Sequence, residues 1–252
     1  MARRNLSILV AACFIGTSFH ISNLAAGEVV YGKAGDRDLK GYLAVPEGTQ
    51  RAPAIILIHE WWGLNDDIRS KADQFAKEGY VALAVDLYEG RSTTRPSEAR
   101  RLAGEVRQNM DKAFDNLKAA VAFLKAHPRV DSKRLASIGW CFGGGWSYQM
   151  AKNNLGVKAS VIYYGFFNPR DDLSKMRAEI LGHFAEKDRA IRVDNVREFQ
   201  AKLKTLGGHH EIYIYPNTTH GFASRPGENP NYVEEAAKQA WERTLAFLKK
   251  YL

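Results

Sequence analysis

The chain has 252 residues, 45% hydrophobic and 25% charged, a balance that supports one packed domain and excludes a disordered or fibrous protein. The formal charge of +8 is spread over segments that also carry acidic residues. With no nucleic-acid motif and no aromatic residues set along a basic stripe, a nucleic-acid partner is not expected.

In chain order, Arg3 and Arg4 precede an apolar run over 6–19, and the small residues Ala25 and Ala26 follow, the layout of an export leader over 1–26. The run is interrupted at Gly16, Thr17 and Ser18 and falls short of the roughly 20 apolar residues of a membrane span. Cleavage and a periplasmic or secreted protein are therefore expected. Arg3-Arg4-Asn5-Leu6-Ser7 leaves a twin-arginine route open, and Val10-Ala11-Ala12-Cys13 leaves lipoprotein anchoring at Cys13 as a minor alternative. Without the leader Cys141 is the one remaining cysteine, so no internal disulfide can form. An unpaired thiol in an oxidising compartment calls for burial or a chemical use.

Residues 28–45 read as an antiparallel pair turning at 32–36, and the unbroken apolar run 54–58 reads as a strand buried on both faces. A helix over 66–77, a strand over 80–85, helical stretches over 97–127 and a strand over 134–138 follow. Beyond them come a helix over 144–153, strands at 159–163 and 180–184, a helix over 193–206, a strand at 211–215 and a last helix over 231–251. Strands alternating with helices predict one α/β domain over 27–252, a doubly wound, mostly parallel sheet with helices on both faces. Such sheets bind ligands beyond the carboxyl ends of their strands, so the loops after 58, 85, 138, 184 and 215 should line one site.

Gly139-Trp140-Cys141-Phe142-Gly143 sits between a strand and a helix, the setting of a nucleophile elbow with cysteine in the nucleophile's place. A sharp reversal there would lift the sulfur to the amino end of a helix, where free N–H groups favour a thiolate. A nucleophile needs a base and an acid to orient it, which in this fold follow in the order nucleophile, acid, base. His220, after the strand at 211–215, and Asp188, after the strand at 180–184, fit that order. Glu186 and Asp194 are weaker rivals for the acid, and His127, His183, His209 and His210 fall where structural roles suit them better. The loop His59-Glu60-Trp61-Trp62-Gly63 leaves the strand at 54–58 where the second oxyanion donor is commonly supplied. The backbone N–H groups of Trp61 and Phe142 are the expected pair, and Trp61, Trp62, Tyr88, Phe142, Tyr164 and Phe222 could wall a cleft.

With His59-Glu60-Trp61-Trp62-Gly63-Leu64-Asn65, Asp86-Leu87-Tyr88, Gly139-Trp140-Cys141-Phe142-Gly143-Gly144, Glu186-Lys187-Asp188 and His220-Gly221-Phe222, the sequence from about residue 40 onward resembles the dienelactone hydrolase family. The resemblance implies an α/β-hydrolase without metal or other cofactor, acting on a small ester or lactone through an acyl-cysteine intermediate. It also implies that Glu60 contacts the resting thiol, and that two arginines hold a substrate carboxylate. The positions read as theirs, after Asp86-Leu87-Tyr88 and four residues beyond His220, are here Gly90 and Ser224. Arg91 and Arg225, one residue later in each case, are the candidates that remain, and dienelactone itself is a doubtful substrate. A thioesterase or peptidase-like hydrolase with the same three residues stays open, as does a catalytically silent binding module. Oligomeric state is not legible, and a monomer is compatible with the sequence. No P-loop or dinucleotide fingerprint follows the first strand of the α/β series.

Overall fold

The computed structural model describes residues 25–224 and 228–252, so residues 1–24 of the expected leader over 1–26, with Arg3, Arg4 and Cys13, and Arg225 lie outside the described residues. Strands β1 (Ala25–Ala34) and β2 (Arg37–Val45) form an antiparallel pair closed by a turn at 35–36, where Gly35 takes a φ of 62°. The turn is shorter than the sequence suggests because β1 absorbs Gly32 through a register shift between Val30 and Gly32. β1 also begins two residues before the expected domain start, with Ala25 opposite Val45 and Ala26 opposite Ala44.

The α/β series then runs β3 (Ala52–Ile58), α1 (Asp66–Lys77), β4 (Val81–Val85), α2 (Pro96–Gln108), α3 (Met110–Ala126), β5 (Val130–Trp140), α4 (Phe142–Lys152), β6 (Ala159–Tyr163), β7 (Glu179–Ala185), α5 (Val193–Thr205), β8 (Glu211–Tyr215) and α6 (Glu234–Tyr251). The sheet has eight strands in the order β1-β2-β4-β3-β5-β6-β7-β8, parallel from β4 to β8. The helical stretches expected over 97–127 are the two helices α2 and α3. They break at Asn109, whose side chain bonds back to the Glu105 carbonyl at 2.8 Å and whose ψ of 52° leaves the helical region.

The two-residue period of the strands divides the core. Ile55 and Leu57 of β3 pack with Phe75 of α1 and Phe247 of α6, while Ile56 and Ile58 pack with Leu117 of α3 and Phe199 of α5. Both faces are covered, which is why β4 reads Val-Ala-Leu-Ala-Val with every residue buried. The chain leaves β3 for β4 on one side and reaches β5 on the other, so the sheet's switch point lies between β3 and β5, above Ile58 and Trp140. No helix among the described residues is long and apolar enough to cross a membrane.

Candidate active site

Cys141 is the single residue between β5 and α4, and it holds φ 54° and ψ −113°, a conformation costly for any residue but glycine. The turn is possible because its flanks lack side chains. A Cβ on Gly139 would collide with the Gly143 carbonyl, and one on Gly143 would collide with the Ile58 carbonyl of β3. The sharp reversal puts the sulfur at the amino end of α4, which begins two residues before the expected helix start. Phe142 is the first helical residue, so its N–H has no acceptor within the helix.

His220 lies after β8 and brings its ring between two partners. Its Nδ1 is 2.7 Å from Asp188 Oδ2 and its Nε2 is 3.0 Å from Cys141 Sγ. Asp188 is nearly buried, and its other oxygen accepts the N–H groups of Ala190 at 2.7 Å and Ile191 at 3.0 Å. Burial opposes its charge, but the His220 contact and the two amides together hold its carboxyl below the ordinary range. Burial likewise opposes a charge on His220. Asp188 and Cys141 outweigh that and push the imidazole up to about 10. Nδ1 therefore donates to the carboxylate, and Nε2 faces the sulfur.

Glu60 differs from the contact the resemblance implies. Its carboxyl is 6% exposed and accepts the Ser224 hydroxyl at 2.5 Å through Oε2, while the sulfur's hydrogen-bond partner is His220. Burial holds Glu60 above the ordinary carboxylate range, and Ser224, Lys71 and His220 partly offset this. Ser224, 3% exposed, thus has a definite role at the position read as an arginine's. Arg91 is not brought to the sulfur. It bonds the Tyr88 carbonyl at 2.9 Å and pairs with Glu105 at 2.9 Å, in a separate cavity.

His59 is a residue that sequence reasoning passed over. It is fully buried, its Nε2 accepts the Leu87 N–H at 3.1 Å, and Nδ1 donates to the Glu60 carbonyl at 2.6 Å. Burial holds it below its ordinary value, which suits a neutral ring with one donor and one acceptor. It clamps the loop after β3 to the loop after β4 and stacks on Phe142, with ring centroids 5.7 Å apart. A histidine directly after a buried strand was the one available signal. His183 is structural, as its place in β7 suggests: Tyr215 and Thr244 hydroxyls hold its two nitrogens at 2.9 and 3.0 Å.

Two cavities meet at the Cys141 and His220 pair. One, about 650 Å³, is mostly apolar and is walled by Phe142, Trp146, Tyr164, Phe166, Met110 and Ile191. The other, about 410 Å³, carries Glu60, Trp61, Trp62, Ser224, Asn229 and Asn231. Of the aromatic candidates, Phe142 and Tyr164 wall the first and Trp61 and Trp62 the second. Phe222 and Tyr88 are buried behind, Phe222 against Tyr164 and Tyr88 against Phe142. Trp146, Phe166 and Met110 carried no signal in the sequence, because they converge from α4, the loop after β6 and the start of α3. Among the described residues, no three His, Cys, Asp or Glu side chains gather as metal ligands would.

Residues 39–252 match the model of the dienelactone hydrolase family. Protein usf of Aquifex pyrophilus is 34% identical over 232 residues, covering 90% of this chain and 99% of its own. An Aquifex aeolicus protein, provisionally named a carboxymethylenebutenolidase, is 30% identical over 236 residues, covering 90% of this chain and 99% of its own. The crystal structure of a Klebsiella pneumoniae protein, provisionally named a dienelactone hydrolase, superposes with a TM-score of 0.78 at 27% identity, covering 90% of this chain and 99% of that one. With the α/β-hydrolase sheet, its elbow and a family match over nearly all of the described chain, this protein belongs to the dienelactone hydrolase family.

Proposed function

We propose that this family member, a carboxylic-ester or lactone hydrolase, works through an acyl-cysteine intermediate with Cys141 as nucleophile, His220 as base and Asp188 as the acid that orients it. The observation that carries the reading is the imidazole held between Asp188 Oδ2 at 2.7 Å and Cys141 Sγ at 3.0 Å. In the reactive form the thiolate faces the imidazolium. The sulfur attacks the substrate carbonyl, and the developing oxyanion is met by the backbone N–H groups of Phe142 and Trp61, each such donor being worth roughly 2.7 to 4 kcal/mol. The tetrahedral adduct collapses with loss of the carbon–oxygen bond, and His220 gives its proton to the departing alkoxide. Water then loses a proton to His220, attacks the thioester and releases the acid, restoring the pair. Glu60, held by Ser224, keeps a buried carboxyl beside this exchange.

The test is rapid-mixing hydrolysis of p-nitrophenyl acetate and of an enol lactone, with Cys141→Ala as the control. A burst of nitrophenol equal to the enzyme concentration, lost in the variant, with an acetyl mass on the Cys141 peptide, is expected. Acetyl found on another residue, or a burst that survives the substitution, sinks the mechanism.

A further inference from the structure

We infer that the substrate is an open-chain ester whose acyl group is apolar and whose alcohol is polar, with the two halves lying in the two cavities that meet at Cys141 and His220. This rests on the acyl-cysteine reading above and adds the orientation and class of the substrate.

The two cavities differ in chemistry. The larger, about 650 Å³, exposes far more apolar than polar surface around Phe142, Trp146, Tyr164 and Ile191. At its mouth stand Phe166, 67% exposed, and Met110, 41% exposed, two large apolar side chains in water beside a cleft. Apart from His220, Arg107 is the one cation on this lining among the described residues, and its guanidinium lies 5.9 Å from the centre of the Phe142 ring, extending the wall. The smaller cavity, about 410 Å³, also exposes more apolar than polar surface, from Trp61, Trp62 and Pro230, but its polar share is the greater of the two and comes from the Glu60 carboxyl, the Ser224 hydroxyl, Glu228, Asn229 and Asn231.

Proton transfer decides which half goes where. The alcohol leaves after taking a proton from His220, and the water that hydrolyses the acyl-cysteine arrives where the alcohol left and gives a proton back to the same nitrogen. Leaving group and water therefore share one side of the bond, and that side must hold water. The cavity with Glu60, Ser224, Asn229 and Asn231 has the larger share of polar groups for that task, and the aromatic cleft the smaller. The acyl group is left with the aromatic cleft, where each added methylene removes apolar surface from water. A compact lactone, with its alcohol tied to its acyl carbon chain, cannot occupy both cavities fully.

Two isomers of one composition separate the orientations: glyceryl monohexanoate, with an apolar acyl and a polar alcohol, and hexyl glycerate, with the reverse. The purified protein is expected to show a kcat/KM at least about tenfold higher for the glyceryl ester, a discrimination ordinary for a few methylenes in an apolar pocket. Phe166→Ala, at a solvent-exposed position, is expected to lower the ratio of hexanoyl to acetyl ester kcat/KM by a few-fold. Preference for hexyl glycerate overturns the assignment, and so does faster turnover of an enol lactone or of a glyceryl adipate, whose acyl chain ends in a carboxylate. A Cys141-dependent burst with p-nitrophenyl acetate, without turnover of either isomer, also overturns it while leaving the acyl-cysteine mechanism standing. Loss of that burst removes the mechanism itself.

Discussion

Asp188 fixes the orientation of the His220 ring and stabilises its charged form. Two backbone amides and one imidazole occupy its carboxylate, so it cannot swing away, and Nε2 is left to face the sulfur at 3.0 Å. Asp188→Asn keeps the shape but turns an acceptor into a group that can present an N–H to Nδ1. We expect kcat to fall at least about a hundredfold, on the scale of acid–base contributions, with the near-ultraviolet circular dichroism unchanged. Labelling of Cys141 by iodoacetamide near pH 6 should slow in the same variant, because the imidazolium is no longer stabilised. An unchanged labelling rate would remove Asp188 from the role given to it. His220, Asp188 and Cys141 were legible in the sequence because each follows a strand and their chain order suits the fold. Ser224 and His59 were not, since their partners, Glu60 for Ser224 and Leu87 for His59, lie 164 and 28 residues away.

At the scale of elements, the site depends on helices held at fixed heights over the sheet. α6 is tied down by one hydroxyl: Thr244 bonds Tyr163 of β6 at 2.7 Å and His183 of β7 at 3.0 Å, all three side chains buried. Thr244→Val keeps the volume and strands a phenol and an imidazole without that partner. A loss of about 1–3 kcal/mol is expected, read as a lower urea midpoint at unchanged slope. A shift under about 0.3 kcal/mol would mean that these groups find other partners. Most strands and helices were legible from apolar period and turn residues. The ends were not: the division of 97–127 at Asn109 depends on a local side-chain bond, and α4 begins directly after Cys141 because the elbow turns within one residue.

For the whole molecule, two histidines set opposite limbs of stability against pH. His183, buried and beside Arg243, is held down to about 3, below its ordinary value of 6.5. Its share of stability is complete above 6.5 and is lost as pH falls toward 3. His220 is pushed up to about 10, so its share is complete below 6.5 and is lost as pH rises toward 10. The melting temperature should therefore peak near neutral pH and fall on both sides. His220→Gln should flatten the alkaline limb in scanning calorimetry, and an alkaline limb of unchanged steepness in that variant would refute the assignment.

The sequence by itself determined the fold class and the chain order of the three site residues, because both are written locally, in apolar periods, in glycines flanking a turn and in polar residues after strands. Only the tertiary structure decided that Ser224 holds Glu60, that Arg91 turns to Glu105, and that an aromatic cleft and a smaller cavity carrying Glu60 and Ser224 meet at Cys141. Those facts are relations between side chains far apart in the chain, and only packing of helices on the sheet brings them within reach.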